Sequence, residues 1–306
     1  MYDKLHIVLR DKSVSNIDEI SKRLDNAYPF NNYNRGYTGK LRNFKVTLTR
    51  GCLKLKGSLC KFFWGNNIRN ICRLETGMAI IELSHILNLP IDKAKVTYLE
   101  FGQNFEMEYI PRAYFWHLGN HQRLERFEQP NSLYYKTHSG SRQYIFYDKI
   151  KEAKRIKIPN NMADQNLLRF EIRLKNLSKF NKDSAISCQC LYEKHFYKSL
   201  LDSYINSYLE IHKNPIVNLD YSLLETPTDC KEYFTMCFIN KLSQNGAIAV
   251  IENMRDRKAL KRNEYYSRMI NYINNLFNKY KDVGRTPIID ELTTKVLALN
   301  NSKNSF

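Results

Sequence analysis

Side chains that alternate in polarity mark strands, and apolar residues recurring every three to four positions mark helices. Leu5, Ile7 and Leu9 share one face of an opening strand, and Ile17, Ile20 and Leu24 follow at helical spacing. Residues 28–39, rich in Tyr, Asn and Gly, read as a loop. Phe44, Val46 and Leu48, then Leu53 and Leu55, flank Thr49 to Cys52 as the two arms of a hairpin. Leu74, Met78, Ile81 and Ile86 predict a helix that stops before Pro90. Lys95 to Phe101 is strand-like, and Pro111 to Leu118 is a short helix with Gly119 after its end. Leu133 to Lys136 predicts a strand, which the small-residue turn at 138–141 joins to another running through Tyr147 and Lys149. The cleanest alternation is Leu167 to Leu174. Leu168, Phe170, Ile172 and Leu174 point one way, and Arg169, Glu171, Arg173 and Lys175 the other.

Past residue 186 the period changes to 3.6. Tyr192, Phe196, Leu200, Tyr204 and Tyr208 recur every four residues, and further helices are expected at 229–243, 246–259 and 263–281. The tail from Asn300 to Phe306 is expected to fray. The pattern predicts an α+β domain over residues 1–186, a mainly antiparallel sheet with packed helices. An all-helical domain over 187–306, for DNA binding or assembly, is expected to follow.

Charge narrows the partner. Of 306 residues, 48 are Lys or Arg against 31 Asp or Glu, a net charge of +17, which points to a polyanion and most simply to nucleic acid. No apolar run approaches the ~20 residues of a membrane span. The first residues read as a strand and not as a signal peptide. Seven scattered cysteines form no C-x-x-C pair, which argues against a zinc ribbon and suits buried thiols in a reducing cytoplasm. The run Arg255 to Arg262, with Arg257, Lys258 and Lys261, is either a solvated face or a contact to backbone phosphates.

Three stretches carry candidate chemistry. On an unbroken strand Tyr147 and Lys149 would share a face with their Cα atoms about 7 Å apart. A phenol beside a fixed cation is what a tyrosine nucleophile needs, because a free phenol titrates near pH 10. Glu100 stands in an otherwise apolar strand, a costly place for a carboxylate unless it is paired, binds metal or faces solvent at an edge. Lys61 and Trp64 fall in a glycine-bounded loop at 56–67, where a cation beside aromatic planes suits single-stranded DNA, or where the aromatics cap the core. The charged face of Arg169, Glu171 and Arg173 is either a solvent-exposed ladder or the floor of a phosphate-binding cleft.

Five blocks in this order resemble the gene II/gene X family of phage and plasmid replication initiators. They are Tyr2 to Leu9, Gly57 to Asn67, Val96 to Glu100, Gly140 to Lys149 and Leu168 to Arg173. The resemblance implies a magnesium- or manganese-dependent endonuclease that nicks one strand at an origin for rolling-circle replication. Tyr147 would be the DNA-linking nucleophile and Lys149 its cation. Glu100 and Glu171 would be metal ligands; apart from the resemblance, Asp3 and His138 are reserve candidates for a third, as polar residues near the expected core strands. Glu100 stands where the family carries an aspartate, often after arginine, so this block departs from the pattern. Lys61, Trp64, Arg142, Arg169, Arg173 and the 255–262 run are the candidate DNA contacts. Implied partners are single-stranded or supercoiled origin DNA and host replication machinery, in the cytoplasm of a bacterial host. The rival reading is a non-enzymatic, sequence-specific DNA-binding repressor.

Overall fold

The computed structural model describes residues 1–30, 36–153, 165–175, 177, 185–214, 224–239, 242, 244–280 and 287–301. In chain order β1 (Tyr2–Arg10) leads through α1 (Ile17–Ser21) to β2 (Asp25–Phe30), β3 (Gly36–Leu41), β4 (Phe44–Thr49) and β5 (Cys52–Ser58). Next come α2 (Leu59–Trp64), α3 (Arg73–Leu87), β6 (Lys95–Met107), α4 (Pro111–His117), β7 (Leu118–His121), β8 (Glu125–Gln129) and β9 (Ser132–Lys136). β10 (Arg142–Asp148), α5 (Lys149–Glu152), β11 (Asn166–Leu174), α6 (Lys194–Leu209) and β12 (Ile211–Lys213) follow. The remaining helices are α7 (Pro227–Ile239), α8 (Gln244–Asp256), α9 (Asn263–Lys279) and α10 (Pro287–Asn301). Two compact units result: residues 1–213 with 291–306, and residues 214–290.

The first unit is built on a ten-stranded antiparallel sheet ordered β2-β3-β4-β5-β1-β6-β11-β10-β9-β8. The α+β architecture read from the sequence is therefore the one observed. Strands remote in sequence meet at the centre, where β6 lies between β1 and β11. One face is apolar and covered. Phe170 stacks on Phe146 with ring centroids 4.2 Å apart and planes 1° from parallel, and Tyr204 of α6 closes on Phe170 at 4.4 Å. Tyr204 also donates its hydroxyl to the Phe170 carbonyl at 2.9 Å, which satisfies a buried phenol on the strand itself. That packing moves the expected boundary. A break at 186 would assign α6 to the helical part, whereas Tyr197, Leu200, Leu201, Tyr204 and Tyr208 bury its apolar stripe in the first unit.

Several local expectations change for identifiable reasons. The expected loop at 28–39 contains the ends of β2 and β3, paired through Tyr28–Thr38 and Pro29–Tyr37; residues 31–35 lie outside the described residues. β2 is almost wholly exposed, so no alternation announces it. The expected loop at 56–67 holds the helix α2, capped by the Ser58 hydroxyl and ended by Gly65 at φ 76°. α3 forms as expected but is turned about its axis. Leu74, Met78 and Ile81 are exposed, while Thr76, Gly77, Ala79, Ile80, Leu83 and Leu87 are buried. Small residues let this face approach closely, and a Cβ on Gly77 would sit 3.3 Å from the Tyr192 ring. β8 was not expected, because its residues alternate between exposed and half-buried with only one large apolar side chain, Phe127.

The second unit packs α7, α8 and α9 around Tyr233, Met236, Ile251, Tyr266, Ile273 and Leu276, close to the three helices expected there. α8 ends at Asp256, so exposed Arg257, Lys258 and Lys261 lie in the connection to α9, not on a helix face. Residues 302–306, the greater part of the tail expected to fray, lie outside the described residues. Among the described residues no helix is long and apolar enough to cross a membrane.

Phe170 is the most connected ring of the covered face. Phe170→Ala is expected to cost about 3–5 kcal/mol of unfolding free energy, measured as a shift of the urea midpoint at unchanged slope.

Candidate active site

The other face of the sheet is polar at its centre. Cross-strand partners share a face, so the register sets out the site: Arg169 lies between Asn104 and Tyr147, Glu171 between Gly102 and Ile145, and Arg173 between Glu100 and Gln143. β1 contributes Asp3 through a bulge. Tyr2 pairs with Phe101 and Leu5 with Leu99, so three steps on β1 oppose two on β6. Tyr2 and Leu5 both reach the apolar face, and Asp3 turns to the polar one. Gly102 permits the close approach of β11, since a Cβ there would meet the Phe170 carbonyl oxygen at 2.8 Å and the Glu171 Cα at 3.0 Å.

Three buried carboxylates, those of Asp3, Glu100 and Glu171, place oxygens within 4.8 Å of one another. Arg169 ties two of them together. Its Nη2 donates to Asp3 Oδ2 at 3.0 Å, its Nε to Glu171 Oε2 at 2.9 Å, and its Nη1 to Asn104 Oδ1 at 3.0 Å. Arg173 Nε donates to Glu171 Oε1 at 2.8 Å and lies 3.3 Å from Glu100 Oε1. Asp3 also accepts from the Ser58 hydroxyl and from Asn67 Nδ2 at 2.9 Å. Glu100 accepts from the Tyr98 hydroxyl. The charged alternation of β11 is thus neither a solvent ladder nor a row of DNA contacts at every position. Arg169 is 2 % exposed and fully engaged, which corrects its reading as a DNA-binding residue.

Tyr147 stands beside this cluster and donates its hydroxyl to Glu171 Oε2 at 3.2 Å. Burial raises the phenol well above its ordinary pKa; Arg169 opposes that shift, and Glu171 and Asp3 reinforce it. Lys149 does not continue the strand. β10 ends at Asp148, whose carboxylate accepts from Lys151 N–H and caps the single turn of α5. The Lys149 ammonium is nevertheless brought near, 5.7 Å from the centre of the Tyr147 ring, fully buried and 2.8 Å from Glu152. Burial, with Arg169 nearby, pulls it below the ordinary lysine range, and Glu152 works against that. A cleft of about 290 Å³ opens beside Tyr147, bounded by Ser132, Tyr134, Ile145, Lys151 and Arg173.

The donor set fits a hard divalent cation. It offers carboxylate oxygens only, and two guanidiniums face three carboxylates. Burial, and then the charge of Glu171, raise the pKa of Glu100, while Tyr98 and Arg173 oppose the shift. Asn67 Oδ1 is buried beside Asp3 without a hydrogen-bond partner. Asp3, held in reserve from the sequence, joins Glu100 and Glu171; burial pushes its carboxyl up, but Arg169, Ser58 and Asn67 outweigh this and hold it low. His138 is exposed on its turn and does not join them.

Other candidates fall elsewhere. Arg142 shares the face of Tyr144 at the start of β10, with Nη1 3.5 Å from that hydroxyl, and so points away from Tyr147. Lys61 is half-buried on α2, and Trp64 is 38 % exposed with the Arg69 guanidinium 5.5 Å above it. α2 connects to the site through Ser58, which caps Lys61 N–H and donates to Asp3. Arg257, Lys258 and Lys261 belong to the second unit. Sequence reading missed Asn67, Asn104 and Tyr98. Asn104 meets Arg169 only when β6 and β11 are paired, and Asn67 meets Asp3 of β1 from the segment after α2.

A family model for the N-terminal part of the gene II replication-associated protein matches residues 1–195. The chain belongs to this family. The match covers all four strands that carry the site, in keeping with the blocks that carried the resemblance. A solved rolling-circle replication initiator protein from Geobacillus stearothermophilus is similar at a TM-score of 0.41 and 12 % identity, over 69 % of this chain and 84 % of that one. No curated protein matches the sequence.

Within this gene II family member, Arg169 is the buried cation that pairs with both Asp3 and Glu171. Arg169→Met is expected to destabilise the first unit by about 3–5 kcal/mol in chemical denaturation, against about 0–1 kcal/mol for Arg142→Met. An Arg169 variant as stable as the wild type would show that the cluster does not need it.

Proposed function

We propose that this chain initiates rolling-circle replication by nicking one strand at an origin, with Tyr147 as the nucleophile. The observation that carries this reading is a tyrosine hydroxyl bonded to one of three clustered, buried carboxylates at the edge of an open cleft. Tyr147 Oη attacks the phosphorus and the bond from phosphorus to the 3′ oxygen breaks; that oxygen takes up a proton from water in the open cleft, and the products are a 5′-phosphotyrosyl link and a 3′-OH for host polymerase. Glu171 Oε2 is the acceptor in place for the phenol proton, a role that suits a phenol kept neutral by burial. The Lys149 ammonium, near the Tyr147 ring, favours the phenolate as the proton leaves Oη, and Arg173, partly exposed at the cleft wall, meets the phosphate.

Asp3, Glu100 and Glu171 would hold Mg²⁺ or Mn²⁺, which when bound supplies positive charge opposite the non-bridging and leaving oxygens. Arg169 keeps Asp3 and Glu171 aligned from beneath. The exposed cations of the second unit give sequence-independent affinity for backbone phosphates.

Incubation with single-stranded or supercoiled origin DNA should leave a covalent protein–DNA adduct that survives denaturation. Tyr147→Phe should abolish adduct and nicking while binding DNA almost as the wild type does. Tyr144→Phe, whose side chain lies on the covered face, should still nick. Binding without any adduct in the wild type would favour a repressor and overturn the nickase.

The cation is tested separately. Glu100→Gln should weaken Mn²⁺ binding in calorimetry by about ten-fold or more, the equivalent of about 1.4 kcal/mol. Nicking should stop in EDTA and return with Mg²⁺. Full activity in EDTA would remove the metal from the proposal.

A further inference from the structure

The polar row that contains Glu171 does not end at the active site. Ile145 pairs with Tyr134, and Tyr134 pairs with Phe127, so Glu171, Ile145, Tyr134 and Phe127 lie side by side across four strands on one face. The row leads from the carboxylate cluster, through the cleft beside Tyr147, to the last strand of the sheet. Phe127 is 49 % exposed on that edge strand, and its ring centre lies 6.2 Å from that of half-buried Tyr134. Lys136 sits 5.7 Å above the Phe127 ring, and Lys151 and Arg173 stand at the cleft.

An exposed aromatic on an edge strand is a liability unless something covers it. We infer that Tyr134 and Phe127 form a stacking platform for single-stranded DNA, holding the nucleotides that lead away from the phosphate attacked by Tyr147. Every base has a π-face, so aromatic planes flanked by cations bind a single strand with little regard to sequence. Charge complementarity favours this occupant. Among the described residues the carboxylate partners of Lys136 and Lys151 are loose, Glu125 at 3.9 Å and Asp148 at 3.4 Å, and a phosphate can replace them. Glu125 and Glu152 also face this region, so the cations work at close range and not as a uniform field. A duplex keeps its bases stacked inside and cannot use the platform.

The inference rests on the proposed reaction only for the direction of the strand, and its test needs no nicking. The full chain in EDTA is titrated with fluorescent oligothymidylate of roughly 16 nucleotides, the upper site size for such surfaces. Phe127→Leu and Tyr134→Leu should each weaken binding by about ten-fold, and Phe127→Trp should bind within about two-fold of the wild type. Affinity for a duplex of equal length should not change. In Phe127→Trp the added indole should lose emission on adding the single strand and not the duplex, a readout that holds even if the leucine variants fold poorly. Leucine variants that bind as the wild type does would end the inference. So would equal losses for leucine and tryptophan, or a parallel loss of duplex affinity. A wild type that binds through these rings in EDTA, yet forms no adduct with origin DNA in a separate reaction containing Mg²⁺, would overturn the nickase and leave the platform standing.

Discussion

A buried guanidinium that bridges strands far apart in sequence is the constraint on which the site depends. Arg169 gains nothing from solvent at 2 % exposure, so each of its nitrogens must find an acceptor inside the sheet. It finds them on β1, on β6 and on its own strand. Those acceptors stand within reach only when β6 lies between β1 and β11 in this register, because a slip of one residue would turn Arg169 into the apolar face. The ion-pair lattice is therefore costly as a source of stability but selective as a specification of pairing. It also fixes the Glu171 oxygen to which Tyr147 is bonded.

The sheet separates two tasks by face. Phe146, Phe170 and Tyr204 form a dry aromatic stack on one side, and the carboxylates and arginines occupy the other. On β11 the polar side is largely buried, with Arg169 and Glu171 sealed and Arg173 partly exposed at the cleft, so its charges must be satisfied mainly within the cluster. That requirement concentrates charge where water is scarce and where electrostatic interactions are stronger than at a surface. Toward β9 and β8 the same face opens, first to the cleft and then to Phe127.

The physics explains what could be read from the sequence. Alternation in β1, β4, β5 and β11 was legible because one side of each meets an apolar layer, and the 3.6 period of α6 was legible for the same reason. Glu100 stands out in the sequence as a carboxylate in an otherwise apolar strand, whereas Tyr147 and Glu171 are candidates from the pairing with Lys149, from the charged face of β11 and from the family resemblance. Depth was not legible. Arg169 and Arg173 look equivalent in the alternation, yet one is sealed and the other borders the cleft, a difference set by neighbouring strands. The bulge that brings Asp3 to the site leaves only a faint trace, the odd spacing of Tyr2 and Leu5. α3 could not be oriented, because apolar residues occur on both of its sides and tertiary packing selected the side with small residues.

The family match stops at residue 195, but the packing does not. α6 begins at Lys194 and supplies Tyr204 and Tyr208, which cover Phe170, so a boundary at 186 or 195 would uncover the aromatic stack. The chain then leaves for the 214–290 unit and returns. On its return Thr293 meets the Tyr208 hydroxyl at 2.7 Å, and Glu291 accepts from the Glu108 amide at 3.1 Å near the end of β6. A covered sheet face must be completed by whatever segment can reach it, and here segments on both sides of an inserted helical unit do so. The fold that positions the site is thus larger than the stretch that carries the site's residues. The part that carries no chemistry is what keeps the opposite face dry and the central strands in register.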